Sequence, residues 1–195
     1  MAGCKPTLRK NFAQGGRKGV YSNSEFTYYN FTMSRTAVIT GNQIADALRA
    51  LDVNFILGGN RQNAFIHKSP ARLIAALAMS DESRLRLSLI PLFLEHPEFA
   101  TRAKIVAKRL PASARLTLQC YYTAALWLAK KYQLQISLPD YFSPELGLTP
   151  TANSEENLRE LAKRHKELSG RRVNWLGTYQ HAGQVWQKGL EYKKG

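Results

Sequence analysis

The chain has 195 residues, 44% of them hydrophobic, 22% charged and 10% aromatic, and a formal net charge of +14. That length and apolar share suffice for a packed domain, and two cysteines, Cys4 and Cys120, exclude a disulfide framework and point to a reducing cytoplasm. No run approaches the roughly 18 apolar residues of a membrane-spanning helix, so no membrane partner is expected.

Residues 1–32 carry Lys5, Arg9, Lys10, Arg17 and Lys18 against one acid, Glu25, with Leu8 and Val20 as the only aliphatic residues larger than alanine. Such a segment buries too little apolar surface to offset its ordering entropy, so a disordered basic tail is expected. It reads as an upstream stretch translated from a start placed too early, a nucleic-acid-binding arm, or a targeting peptide. A patterned domain over residues 33–195 follows Met33 and keeps +10 of the net charge.

The fold expected for that domain is mainly α, with five to seven helices and at most a small hairpin near residues 53–67. Ile44, Ala47, Leu48 and Leu51 fall on one helical face behind Asn42 as N-cap. Val53 to Leu57 reads as a strand or apolar turn, and Ala64 to His67 as its partner. Ser69 and Pro70 start a helix with Leu73, Ile74 and Leu77 inward. Ser80, Asp81 and Glu82 open the next, with Leu85, Leu89, Leu92 and Phe93 inward and a kink at Pro91. Pro97 and Pro111 mark two more starts. The helix over 98–109 buries Phe99, Ala103, Val106 and Leu110. The helix from Pro111 to about Gln133 is apolar nearly all round, which makes it the axis of the core and places Tyr121, Tyr122 and Trp127 inside. An irregular crossing over 137–153 is tacked down by Tyr141, Phe142, Leu146 and Leu148. Ser154 starts a helix with Leu158, Leu161, Ala162 and Leu168 inward, three i,i+4 ion pairs (Glu155–Arg159, Glu160–Arg164, Lys163–Glu167) and Gly170 as its stop. Trp175, Tyr179, Ala182, Trp186 and Leu190 form the stripe of the last helix.

Val53-Asn54-Phe55-Ile56-Leu57-Gly58-Gly59 resembles the strand and Gly-Gly turn of small nucleotidyltransferases. That resemblance implies a nearby carboxylate pair to hold Mg²⁺, and Asn60, Arg61, Gln62 and Asn63 follow instead, so a simple reversal of the chain is expected. His67, His165 and His181 stand apart from one another and from Cys120, so no metal site and no cofactor are expected. Glu95, His96 and Glu98 bracket a helix end and a helix start, and an enzyme would assemble its site from Glu95, His96 and tyrosines.

The basic pattern carries the functional expectation, a non-catalytic binding protein. Arg102, Lys104, Lys108 and Arg109 share one side of their helix with no acid among them, and Arg115, Lys130 and Lys131 would extend that side. Such a face neutralises phosphates of DNA or RNA without reading sequence, or meets an acidic protein. Arg171 and Arg172 offer a second cationic edge, interleaved with Lys188, Lys193 and Lys194 and with the aromatic stripe. The alternative is a regulatory or antitoxin-like subunit that docks on an enzyme, such as a small nucleotidyltransferase, or on a second copy of itself, using Trp175, Tyr179 and Trp186 as anchor.

Overall fold

Thr40, Pro70, Pro97, Pro111 and Asn153 each stand at the start of a helical segment, and the architecture follows from them. The computed structural model describes residues 39–55 and 69–194, with side chains to residue 191. The described residues hold no strand and belong to one compact unit. Their helices are α1 (Gly41–Ala50), α2 (Pro70–Met79), α3 (Ser83–Leu87), α4 (Leu89–Glu95), α5 (Ala100–Ala107), α6 (Ala112–Lys131), α7 (Ser154–Ser169) and α8 (Trp175–Lys194), with a 3-10 turn at Pro97–Phe99. The mainly α expectation holds. With α3 and α4 taken as two arms of one broken helix, the count is seven.

Several boundaries differ from the sequence reading for local reasons. Thr40, not Asn42, caps α1: its hydroxyl accepts from the Gln43 amide at 3.3 Å and the Gln43 side chain accepts from the Thr40 amide at 2.9 Å. At the other end of α1, Asp52 adopts φ 58°. The Asp52 and Val53 amides turn back to the Arg49 and Leu48 carbonyls at 3.1 and 2.9 Å, a Schellman closure. The expected strand at Val53 therefore does not form over residues 53–55, because the Val53 amide is committed backwards. The remainder of that segment, including Gly58, Gly59 and the second strand at 64–67, lies outside the described residues, as do the tail and Met33.

The helix expected over 80–95 breaks at Ser88 rather than at Pro91. Proline removes the amide that would bond the carbonyl four residues earlier, here Leu87, so the interruption falls one turn upstream. Ser80 caps no helix directly; its hydroxyl accepts from the Glu82 amide at 3.2 Å, and α3 starts at Ser83. Asn153, one residue before the expected Ser154, caps α7 by accepting from the Glu155 and Glu156 amides at 3.0 and 3.3 Å. Gly170 at φ 65° closes α7 as expected. Leu168, expected inward, is exposed.

Helix α6 is the axis: α2, α4, α5, α7 and α8 all pack on it. From Leu118 to Ala129 every one of its residues is buried. Phe93 of α4 meets Tyr122 edge-on at 4.9 Å, and Phe142 of the irregular crossing meets it at 5.2 Å. Cys120 is fully buried on the same helix, and burial pushes its thiol up to about 12.

Helix α8 approaches α6 closely at Gly183. A β-carbon there would lie 2.7 Å from Tyr132 Oη and 3.1 Å from Leu128 Cδ2, whereas one at Gly189 would meet nothing within 4 Å. Gly183→Ala is expected to cost about 1–2 kcal/mol, overpacking offset in part by better helix propensity. Gly189→Ala is expected to stabilise by up to about 1 kcal/mol. Thermal melts of the two variants check the pair.

Candidate polyanion-binding face

Helix α5 exists because Phe99, Ala100, Ala103, Val106, Ala107 and Leu110 lie within one arc and bury against α2 and α6. Its other arc faces outward with Thr101, Arg102, Lys104 and Ile105, and the C-cap Lys108 and Arg109 of the following turn continue it, all exposed. The four expected cations are thus on the surface together. Neither Arg102 nor Lys108 forms an ion pair among the described residues. Lys104 sets its ammonium 5.0 Å from the centroid of the Tyr141 ring, a contact that orients the charge without neutralising it.

Beyond Glu98, which is exposed beside His96 one turn before Arg102, the charge of this face is not diluted by the chain that follows. No acid occurs between residues 99 and 139. The turn that follows α5 leads directly into α6, whose first turn has no acid and no side-chain cap, so its free amides add partial positive charge beside Lys108 and Arg109. Arg115 stays exposed on that first turn and donates to the Leu110 carbonyl at 3.1 Å, which ties it to the end of α5.

Lys130 and Lys131, expected to extend the face, do not. They sit at the far end of α6, about 22 Å along the helix from Arg115. Lys131 pairs with Glu155 at 2.5 Å and Lys130 lies 4.4 Å over the Trp127 ring. The Glu155 carboxyl is held below its ordinary range, chiefly by that hydrogen bond from Lys131. Its expected partner on α7, Arg159, contributes less, and the other two expected i,i+4 pairs are replaced by Lys163–Glu160 at 4.0 Å and Arg164–Glu167 at 3.1 Å.

Arg171 and Arg172 are exposed at the corner between α7 and α8, flanked by Leu168 and Val173, which are 44% and 42% exposed. The aromatic stripe has a different place from the anchor imagined for it. Trp175, Tyr179 and Trp186 are buried in the chain's own core, with Ala182 between them. The Tyr179 hydroxyl lies 2.6 Å from Nδ1 of the buried His165, and the Trp175 ring stacks on that imidazole at 3.7 Å. Burial, with Arg171 nearby, lowers His165 to about 4. The Tyr179 hydroxyl is pushed well above its usual range by burial and so keeps its proton. It donates to Nδ1, which leaves the imidazole proton on Nε2. The stripe is a seam holding α8 to α6 and α7.

The group around His96 is likewise engaged in the fold. Its Nδ1 lies 2.9 Å from Glu98 and its Nε2 2.8 Å from the Leu51 carbonyl, a clasp between the end of α1 and the 3-10 turn. No three His, Cys, Asp or Glu residues come together as a metal-ligand set among the described residues. A cleft of about 240 Å³ opens between residues 147–150 and Trp127, but Asn157 on its wall spends its amide on the Thr151 backbone, at 2.8 Å in both directions. No described helix is long and apolar enough to cross a membrane. The outward arc of α5 and the turn after it is therefore the strongest concentration of exposed positive charge among the described residues. Compared with known proteins, the chain matches no family model, no curated protein and no solved structure, so these residues carry the functional argument alone.

Proposed function

We propose that this protein works by binding rather than by catalysis, and that the outward arc of α5 holds the phosphate backbone of a nucleic acid. The observation that carries this reading is the co-exposure of Arg102, Lys104, Lys108 and Arg109 along α5 and the turn after it, with Glu98, which faces His96, as the one exposed acid at its start. Each phosphate neutralised by such a cation releases a condensed counterion, so affinity comes from charge and falls with salt. Arg115 and the uncapped start of α6 add to the same field.

The test is a salt titration of labelled nucleic acid with the full chain and with a variant carrying Gln at the four positions. Binding near physiological salt is expected to fall linearly on a log–log plot, and the variant is expected to flatten the slope by about 3.6, or roughly 0.9 per lost contact to a duplex. Because the four side chains face outward, the melting temperature should stay within the shift expected for about 0.5 kcal/mol. An unchanged slope in the variant would remove the face from the function.

A second reading, docking on a protein, is favoured by one observation: Leu168 and Val173 stand exposed beside Arg171 and Arg172. With the aromatic stripe buried, that corner replaces it as the surface for an acidic partner. A Leu168→Ser, Val173→Ser pair that alters self-association or partner capture, together with salt-insensitive nucleic-acid binding, would move the function there.

A further inference from the structure

We infer that α5 enters a groove of B-form duplex DNA, with its two cationic rims on the two phosphate walls and Ile105 against base edges. The inference rests on the polyanion reading above and names its substrate. At about 100° per residue, with Arg102 as origin, Ile105 falls near −60° and Lys104 near −160° within α5. Lys108, its C-cap, still has αR backbone and prolongs the spiral to near −120°, which carries Arg109, in the turn beyond, to near −20°. The buried residues Val106, Phe99, Leu110 and Ala103 fall between about +40° and +100°, on the opposite side. The exposed arc is thus two rims, one of arginines and one of lysines, with an isoleucine between them.

The spacing of the rims matches a groove rather than a single strand. They stand about 130° apart around a cylinder roughly 10–12 Å across, a separation of about 10 Å, and the major groove of B-form DNA is about 12 Å wide. The deep, narrow major groove of A-form RNA does not admit a helix. Single strands are held by bases stacking on exposed aromatic rings. Among residues 39–55 and 69–191 no Phe, Trp or Tyr is exposed, and Tyr141, which lies under Lys104, is half-buried. The neighbouring α6 is buried from Leu118 to Ala129 and exposes Ala112, Ser113 and Arg115 of its first turn, so beside α5 it offers one cation and no long apolar side chain to a groove.

Ile105 supplies the second observation. It is 43% exposed, one of four large hydrophobic residues exposed among the described ones, and it lies between the two rims. A phosphate surface gives an aliphatic side chain nothing, whereas a base pair in the major groove presents the 5-methyl group of thymine. The eight residues of α5 span about 12 Å, room for three or four base-pair steps. Readout would be slight: thymine methyl groups on a site otherwise held by charge.

The experiment uses the full chain and four probes of equal length: a thymine-containing DNA duplex, the same duplex with deoxyuridine for thymidine, an RNA duplex and a single DNA strand. The DNA duplex is expected to bind tightest, with a salt slope near −3.6 for four contacts against about −2.8 for a single strand. Removing the 5-methyl groups is expected to weaken binding about fourfold per methyl contacted, a difference that vanishes in Ile105→Ser. If the four-position Gln variant loses affinity while RNA duplex or single strand binds as tightly as DNA duplex, the groove is overturned and the polyanion face survives. If the Gln variant binds every probe as the unaltered chain does, both fall. A thymine preference that persists in Ile105→Ser would overturn the role of that side chain.

Discussion

Tyr122→Ala is expected to remove about 3–5 kcal/mol of stability, which for a domain of this size lowers the melting temperature by about 2–4 °C per kcal/mol. The ring is fully buried midway along α6, edge-on to Phe93 and Phe142 and stacked at 5.9 Å on Tyr141. It thereby joins α4, the central helix and the irregular crossing in one contact. Its hydroxyl donates to the Pro139 carbonyl at 2.8 Å, the bond that fixes where the crossing leaves the core. Tyr122→Phe keeps the packing and leaves that carbonyl without its partner, so its expected cost is about 1 kcal/mol. Urea unfolding of the two variants checks both figures, and equal losses would mean that the hydroxyl rather than the ring holds the joint.

Acidification should weaken the seam between α7 and α8. His165 is 3% exposed and its folded value of about 4 lies below the ordinary 6.5. Between those two values the unfolded chain binds the proton and the folded chain does not, so stability rises with pH across that window and falls as pH drops through it. The loss is on the order of 3 kcal/mol by pH 4, from 1.36 kcal/mol per unit. Glu155, whose carboxyl is held below its ordinary value of 4.5, acts in the same direction but only in more acid solution, as its contribution disappears when it protonates. The two effects therefore separate on the pH axis. His165→Gln should start from lower stability and show little change between pH 6.5 and pH 4, and urea midpoints across that range make the comparison. Parallel pH profiles in the two proteins would show that His165 titrates near its ordinary value.

Much of this fold was legible in the chain because its signals are local. Leu73, Ile74 and Leu77, and again Leu85, Leu89, Leu92 and Phe93, recur at helical spacing and are buried where that spacing puts them. Pro70, Pro97 and Gly170 act through their own φ angles, so their positions mark boundaries directly. Three features were hidden for reasons that are also physical. Asp52 and Gln133 adopt φ 58° and 52° in Schellman closures that residue type signals through glycine, which neither is. The break at Ser88 is displaced from its cause because a proline acts one turn away. The pairing of Glu155 with Lys131 joins α7 to α6 across 24 positions, beyond any periodicity.

The candidate face was legible to the same extent and for the same reason. Arg102, Lys104, Lys108 and Arg109 share an arc by spacing alone, and the structure leaves that arc uncovered. The spacing of Trp175, Tyr179 and Trp186 identified a stripe equally well but not what covers it, and cover is a tertiary property. His165, which binds Tyr179 from another helix, carried no signal as an isolated histidine. Ile105 was visible as a residue and not as an exposed one.

The placement of Cys120 gives the molecule a built-in clock. A thiol raised to about 12 and buried on all sides is almost never a thiolate and is out of reach of an alkylating reagent. Five helices share α6 as their wall, and Cys120 lies in its continuously buried stretch, so the sulfur is reached only when that packing opens. Its capture by a reagent therefore counts the excursions in which the axis itself is stripped bare, and so measures how long the fold stays whole rather than how firmly its edges hold.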